Sequence, residues 1–341
     1  MLVTTMMHVA QKAGVSKSTV SQVLNGRAKD FNISNATIER VNQAALDLGY
    51  VPNTVARNLR AQRTGQIGVV VAALTDMEQS LQLTFDGAWL LGMSTAARQH
   101  GFTSALLLEQ PESEPNLNLY YDGRIEGLLL RCDPRHPHPL LANLTPARIP
   151  MVAVWTQEAP IGIGYADVDH FGGAEIAIHH LLELGHQKIA FLDSDSDENN
   201  NHFRLRYNGY KEALEEAGIR VKTNWHQRSV SAILELIRGK TPVTAVFAAN
   251  DVRGVELVRE LTRVGIRVPE DISVIGFDNI IGAAFLDVEL TTIHHPIREM
   301  ALEAVKNLAD LIQGKPYQDC RSIVPTYLVK RKTCAPVKKL K

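Results

Sequence analysis

MMHVAQKAGVSKSTVSQVL, residues 6–24, is the stretch on which the reading of this chain turns. Val9, Ala10 and Ala13 share one face of a short first helix, with the spacing of an apolar stripe. Gly14 permits a tight turn, and Val15 tucks beneath it. Ser16 is a natural cap for a second helix, with Thr19 three residues on. That second helix buries Val20, Val23 and Leu24 and turns Lys17, Ser18, Ser21 and Gln22 outward. Small and amide-bearing side chains on an outer face suit the base edges of a major groove. Two short helices about a glycine turn, the second polar outside, describe a helix-turn-helix.

A third helix follows, capped by Ser34, striped by Ile38, Val41, Ala45 and Leu48, and ended by Gly49. Then comes YVPNTVARNLRAQRTGQIG, residues 50–68. Pro52 keeps the third helix from running on, and Asn53 can cap one further turn carrying Val55, Ala56 and Leu59. So short a helix forms only against a partner surface. Leu59 between Arg57 and Arg60 suits insertion into a minor groove, where apolar wedges part base steps. A plain linker is the alternative. Charge agrees with the nucleic-acid reading. Residues 1–64 hold eight basic and three acidic side chains, or +5, so a chain of net −1 leaves −6 for the rest. A basic head on an acidic body confines the affinity for phosphate to one end.

From Ile67 the pattern changes. IGVVVAAL and FTSALLL read as buried strands flanking a helix from about Phe85 to His100. GRIEGLLLR, IPMVAVW, KIAFLD, TAVFAAND and ISVIGFD recur between helical segments. Strand and helix in alternation predict parallel α/β sheets, and the length predicts two lobes. The polar residues at the strand ends are Asn250 and Asp251 after VFAA, Asp278 after VIGF, and Asp169 before Gly172–Gly173. Ligands bind such sheets at their carboxyl ends. Asp251 and Asp278 could instead cap the helices that follow, the reading favoured for Asp251. Trp155, after MVAV, could stack on a sugar or base, or belong to the core.

VAQKAGVSKSTVSQVLNG followed by GYVPNTVARNLR resembles the lactose/galactose repressor family. The resemblance continues through VDHFGGAEIAIHHLLELGHQKIAFL, RLRYNGYKEAL, VFAANDVRGVELVRELTRVGIRVPEDISVIGFDN, LTTIHHPIREMALEAV and LVKRKT. It implies an all-α helix-turn-helix head on an α/β body of two doubly wound parallel-sheet lobes. That body resembles a periplasmic sugar-binding protein, with three crossovers and a small ligand in the cleft. It implies a homodimer on a pseudo-palindromic DNA operator, with operator affinity controlled by that ligand, a sugar or sugar derivative by default. A purine- or nucleoside-responsive regulator is the alternative. Lys17, Ser18 and Gln22 match the base-reading positions, joined as DNA-contacting candidates by Thr19, Ser21, Asn25, Lys29, Asn53, Ala56, Arg57 and Leu59. Phe85, Asp86, Trp155, Arg206, Asn250 and Asp278 are the effector candidates. Domain boundaries fall at 1–51 for the head, 52–64 for the hinge and 65–341 for the body. Within the body, lobe 1 takes about 65–161 and 293–323, and lobe 2 about 162–292 and 324–334.

Departures from the family pattern matter. His8 stands where an acidic residue is usual, and Gln22 where Arg is usual. Arg reads guanine and Gln adenine, so the half-site differs at that base. RAKDFNIS, residues 27–34, is longer than the common loop, and its Lys29 suits a phosphate. In lobe 1, TDMEQSLQLTFDG replaces an Asn-Pro-Phe-Phe segment, putting Phe85 at the aromatic position and Asp86 next to it.

Other classes fit poorly. Cys132, Cys320 and Cys334 make neither a disulfide framework nor a zinc site. RHPHP at 135–139 and His294–His295 lack metal-ligand spacing, and no phosphate loop, GxGxxG or GxSxG elbow occurs. Neither enzyme, metal nor cofactor is expected. A transport protein sharing the body would carry a leader and no basic head. No leader or apolar run of the ~18 residues needed for a membrane span is seen, which points to the cytoplasm. The tail CAPVKKLK has no leucine heptads for a tetramer.

Overall fold

The computed structural model describes residues 4–50, 63–72, 80–109, 118–131, 148–193, 201–280 and 289–338. The chain forms two compact units, Met1–Thr64 and Gly65–Lys341. In the first, α1 (Met6–Ala13), α2 (Lys17–Leu24) and α3 (Asn35–Asp47) enclose one core. Val9, Ala10, Ala13, Val20, Val23, Val41, Ala44 and Ala45 meet there, with Ala28 from the loop. Gly14 closes α1 at φ 65°, a left-handed conformation that glycine adopts without strain. Ser16 and Ser34 cap α2 and α3, accepting from the backbone N–H of Thr19 and Thr37. Lys12 of α1 pairs with Asp47 of α3 at 2.8 Å. The hinge candidates Asn53, Ala56, Arg57 and Leu59 lie outside the described residues.

The second unit begins with β1 (Gln66–Ala72), α4 (Ser80–Gln99), β2 (Thr103–Glu109), α5 (Asn118–Tyr121), β3 (Gly127–Arg131), β4 (Met151–Val154) and β5 (Gly164–Val168). It continues with α6 (His170–Glu183), β6 (Ile189–Leu192), α7 (Asn201–Glu216), β7 (His226–Gln227), α8 (Val230–Arg238), β8 (Ala245–Ala248), α9 (Asp251–Arg263) and β9 (Ser273–Asp278). It closes with β10 (Thr291–His294), α10 (Ile297–Ile312), β11 (Arg321–Val324) and β12 (Tyr327–Val329). The strands form two six-stranded sheets, β11-β5-β4-β3-β1-β2 and β12-β10-β9-β8-β6-β7. All pairings are parallel except β12 with β10. The central strands are buried throughout, as parallel strands covered by helices on both faces must be. α4 and α10 supply one face of the first sheet, through Trp89, Met93, Met300 and Leu308. Phe191, Tyr210, Phe247 and Phe277 fill the second lobe. Removing each such ring from water stabilises by roughly 1.5–3 kcal/mol.

The chain passes between sheets three times: at Asp169 between β5 and α6, at His295–Pro296 between β10 and α10, and at Pro325–Thr326 between β11 and β12. The first crossing corrects the expected lobe boundary. Gly164–Val168 hydrogen-bonds to β4 and β11, so it belongs to lobe 1 rather than opening lobe 2. The return also comes later than expected, since all of Thr291–His294 pairs with β9 and β12.

Helices α6 and α7 approach closely at Gly209. A Cβ there would lie 2.3 Å from the Phe171 carbonyl oxygen and 3.0 Å from the Ala174 Cβ. No described helix is long and apolar enough to cross a membrane.

Candidate functional site

On the head, the residues of α2 form a connected polar surface. Ser16 Oγ accepts from Thr19 N at 3.1 Å and lies 2.7 Å from Ser18 Oγ and 2.8 Å from Thr19 Oγ1. Asn25 Nδ2 donates to the Ser21 carbonyl at 2.7 Å and to its hydroxyl at 3.2 Å. Lys17, Ser18, Asn25 and Lys29 are exposed, while Thr19, Ser21 and Gln22 are half-buried. Lys12 and Arg27 are already paired, with Asp47 and Asp30. Lys17 and Lys29 have no carboxylate partner among the described residues. His8 has a role that the sequence did not suggest. Its Nδ1 accepts from Thr5 N at 3.3 Å, completing a reciprocal cap at the start of α1.

In the body, the polar residues gather where β8, β9 and β10 end. Arg206 comes from α7 and is 3% exposed. It donates to the Ala249 carbonyl at 2.5 Å, to Asp278 Oδ1 at 3.0 Å and to His170 Nδ1 at 3.3 Å. Its guanidinium carbon stands 3.7 Å from the centre of the Phe277 ring. Burial lowers the Arg206 pKa, and Asp278 opposes that shift. Asp278 holds φ 116° and Asn279 φ 60°, strained values for residues with side chains, and such strain clusters at ligand sites. The sequence therefore brings Arg206 and Asp278 together across 72 residues.

Three other candidates fare differently. Asn250, expected at the ligand, spends its side-chain oxygen on capping α9, accepting from Arg253 N at 2.9 Å. Asp251, expected as the cap, is instead wholly buried; it accepts from Ile280 N at 3.0 Å and from the Thr292 hydroxyl at 2.5 Å. A Cβ on Gly276 would come within 2.2 Å of Asp251 Oδ1, so glycine there makes room for the carboxylate. Trp155 does not offer a stacking face. It is 7% exposed and packs on Trp89 with ring centres 4.8 Å apart, so the core reading holds. Phe85 and Asp86 lie within α4, but their side chains fall outside the described ones.

The structure adds a cluster that no local spacing announced. Asp167 from β5, His170 from α6 and His202 from α7 place ligating atoms within 4.8 Å of one another. His170 stacks on His202 with ring centres 4.3 Å apart, and His295 meets His170 edge-on at 5.7 Å. Burial raises the Asp167 carboxyl, holds His170 well below its usual range and takes His202 down to about 3. The spacing suits a metal, but the hydrogen bonds do not. His170 Nδ1 accepts from Arg206, so Nε2 carries that ring's proton. His202 Nε2 lies 2.8 Å from the Trp155 carbonyl oxygen, to which it can only donate. Neither Nε2 atom therefore has a lone pair to give a metal beside Asp167.

A helix-turn-helix head on a two-lobed binding-protein body is the build of a ligand-responsive transcriptional regulator. The chain belongs to the lacI family of bacterial regulatory proteins. Residues 5–53 match "Bacterial regulatory proteins, lacI family", and residues 178–334 match "Periplasmic binding protein-like domain". It is 33% identical over 339 residues to the "HTH-type transcriptional regulator CelR" of Thermobifida fusca, covering 95% of this chain and 96% of that protein. It is 32% identical over 325 residues to the "HTH-type transcriptional repressor PurR" of Photobacterium profundum, covering 92% and 93%. Among solved structures, a "transcriptional regulator CelR-cellobiose complex" superposes with TM-score 0.67 at 31% identity, over 97% of this chain and 99% of that one. A lac repressor dimer bound to operator and the anti-inducer ONPF gives 0.70 at 26% identity, with the same coverage.

Proposed function

We propose that this regulator is a cytoplasmic repressor that binds a pseudo-palindromic operator as a homodimer and releases or tightens its grip when a sugar enters the cleft between the body's lobes. The observation that carries the reading is the buried Arg206–Asp278 pair at the carboxyl ends of the second sheet. A guanidinium and a carboxylate side by side can grip a hydroxyl that both donates and accepts. Three crossovers beside the pair supply the means by which ligand moves one lobe against the other. On the head, Lys17, Ser18 and Gln22 read bases, while Lys29 touches phosphate. No reaction is assigned; this is a binding protein.

A sugar is favoured over a purine because the described cleft residues offer hydrogen-bonding groups and no open aromatic face. Trp155 is covered by Trp89, and Phe277 by Arg206. The test is operator binding by fluorescence anisotropy, with and without cellobiose, glucose, hypoxanthine and guanine. A sugar-dependent change in affinity, typically ~1–3 kcal/mol for such coupling, is expected. It should disappear in Asp278→Asn while ligand-free operator binding persists. A response to the purines alone would replace the sugar reading.

A further inference from the structure

Asp167 carries an unmet demand. It is fully buried, and beyond a backbone contact from Val168 neither carboxylate oxygen has a hydrogen-bond partner. His170 Nε2, also without one, stands 3.4 Å from Oδ1, and His202 Nε2 stands 3.7 Å from Oδ2. Buried polar groups in folded proteins are almost always paired, and an exception points to a strained or functional site. This one occurs next to a crossover. It is joined to the Arg206–Asp278 pair through His170, and the side chains of His202 and Asp278 beside it keep 17% and 10% of their surface exposed.

We propose that Asp167 is an effector-binding residue, and that with His170 it takes one hydroxyl of a neutral saccharide. The proposal rests on the sugar reading above and adds the lobe-1 half of that site. An acceptor without a donor and a donor without an acceptor, side by side, are the complement of a hydroxyl. The hydroxyl donates to Asp167 and accepts from His170 Nε2–H. His202, held to the Trp155 carbonyl, stands 3.7 Å from the other carboxylate oxygen. An anionic sugar is excluded. Asp278 already neutralises Arg206, so a phosphate would bring an unbalanced charge into a buried site beside the Asp167 carboxyl.

The experiment uses the full-length protein with Asp167→Asn, Asp167→Val and Asp278→Asn. Without ligand, Asp167→Val should melt higher than the wild type, by about 2–4 °C for a chain of this size, because it removes an unpaired buried carboxylate. A lower melting point for both Asp167 variants would mark the residue as a structural keystone and overturn the proposal. Calorimetric titration then compares cellobiose, glucose and galactose with glucose 6-phosphate. The wild type should bind a neutral sugar and not the phosphate, and Asp167→Val should weaken that binding on the order of tenfold or more. Binding of the phosphate alone, or of no saccharide, overturns the proposal. Affinity kept within twofold in Asp167→Val but lost in Asp278→Asn overturns it while leaving the sugar site intact. Affinity unchanged in both removes the site as well.

Discussion

At Arg206 the body holds a buried charge whose chief counter-charge is one carboxylate, that of Asp278. Asp278→Ala would leave the guanidinium against Phe277 and the Ala249 carbonyl without its hydrogen-bonded counter-charge. A stranded buried ion costs about 3–5 kcal/mol, whereas replacing both partners with apolar groups is close to neutral. Urea unfolding should therefore show a large loss for Asp278→Ala and a substantial recovery in the double variant Arg206→Met, Asp278→Ala. Asn250 behaves differently because its oxygen caps α9. Asn250→Ala should lose about 1 kcal/mol of stability and keep the response to ligand. Equal loss of ligand affinity in Asn250→Ala and Asp278→Asn would return Asn250 to the pocket. The two Asn and Asp positions after VFAA could not be sorted from sequence, since either side chain can cap a helix. The choice is made by Thr292 and the Ile280 amide, which lie far along the chain and draw Asp251 inward.

Elements are where the sequence speaks most clearly. Ser16, Gly14 and Ser34 act within one helical turn, so the caps and the turn of the head are legible from neighbours alone. Apolar runs such as MVAV and VFAA are fully buried strands for the same local reason. What stays hidden is which sheet a strand joins. β5 looks like the entrance to the second lobe but pairs with β4 and β11, because backbone pairing is decided by distant partners. The Asp167–His170–His202 cluster is hidden for the same reason: β5, α6 and α7 each contribute one member. The recognition helix carries its own prediction. Gln22 sits half-buried on α2, one turn from the capping hydroxyls. Gln22→Arg should shift preference from adenine toward guanine at one symmetric pair of operator positions, read by selection from randomised half-sites. A uniform change across sequences would mean that Gln22 supports the helix rather than reads DNA.

For the whole molecule, buried titratable groups set a pH window. Burial, with His170 alongside, keeps His202 neutral down to about 3, and His170 is likewise depressed. The unfolded chain takes up those protons near 6.5, so their contribution is present above that pH and lost as pH falls toward 3. Asp251 acts in the opposite sense. Burial and Asp278 push it up to about 8, while unfolded aspartate ionises near 3.8, so stability declines as pH rises through that interval. Asp167, raised by burial, adds to the same decline. The histidine and aspartate effects oppose each other below 6.5, and above it only the carboxylates remain. Calorimetry at pH 6.5 and 8 should show the body less stable at the higher pH, and Asp251→Asn should flatten that slope. A slope unchanged in Asp251→Asn would assign the decline elsewhere.

The close approach of α6 and α7 at Gly209 reaches further than packing. Arg206 lies one turn earlier on α7, and its hold on His170 requires that the two helix backbones nearly touch there. Position 209 thus sets the gauge of a pocket it does not line. Gly209→Ala must push the helices apart, carrying Arg206 and His202 with them. A genetic screen for unresponsive regulators should return this glycine beside the ligand-contacting residues, with operator occupancy intact and the dose–response curve moved to higher ligand concentration. Read by inheritance alone, it would pass for a ligand contact; the backbone shows it to be a spacer.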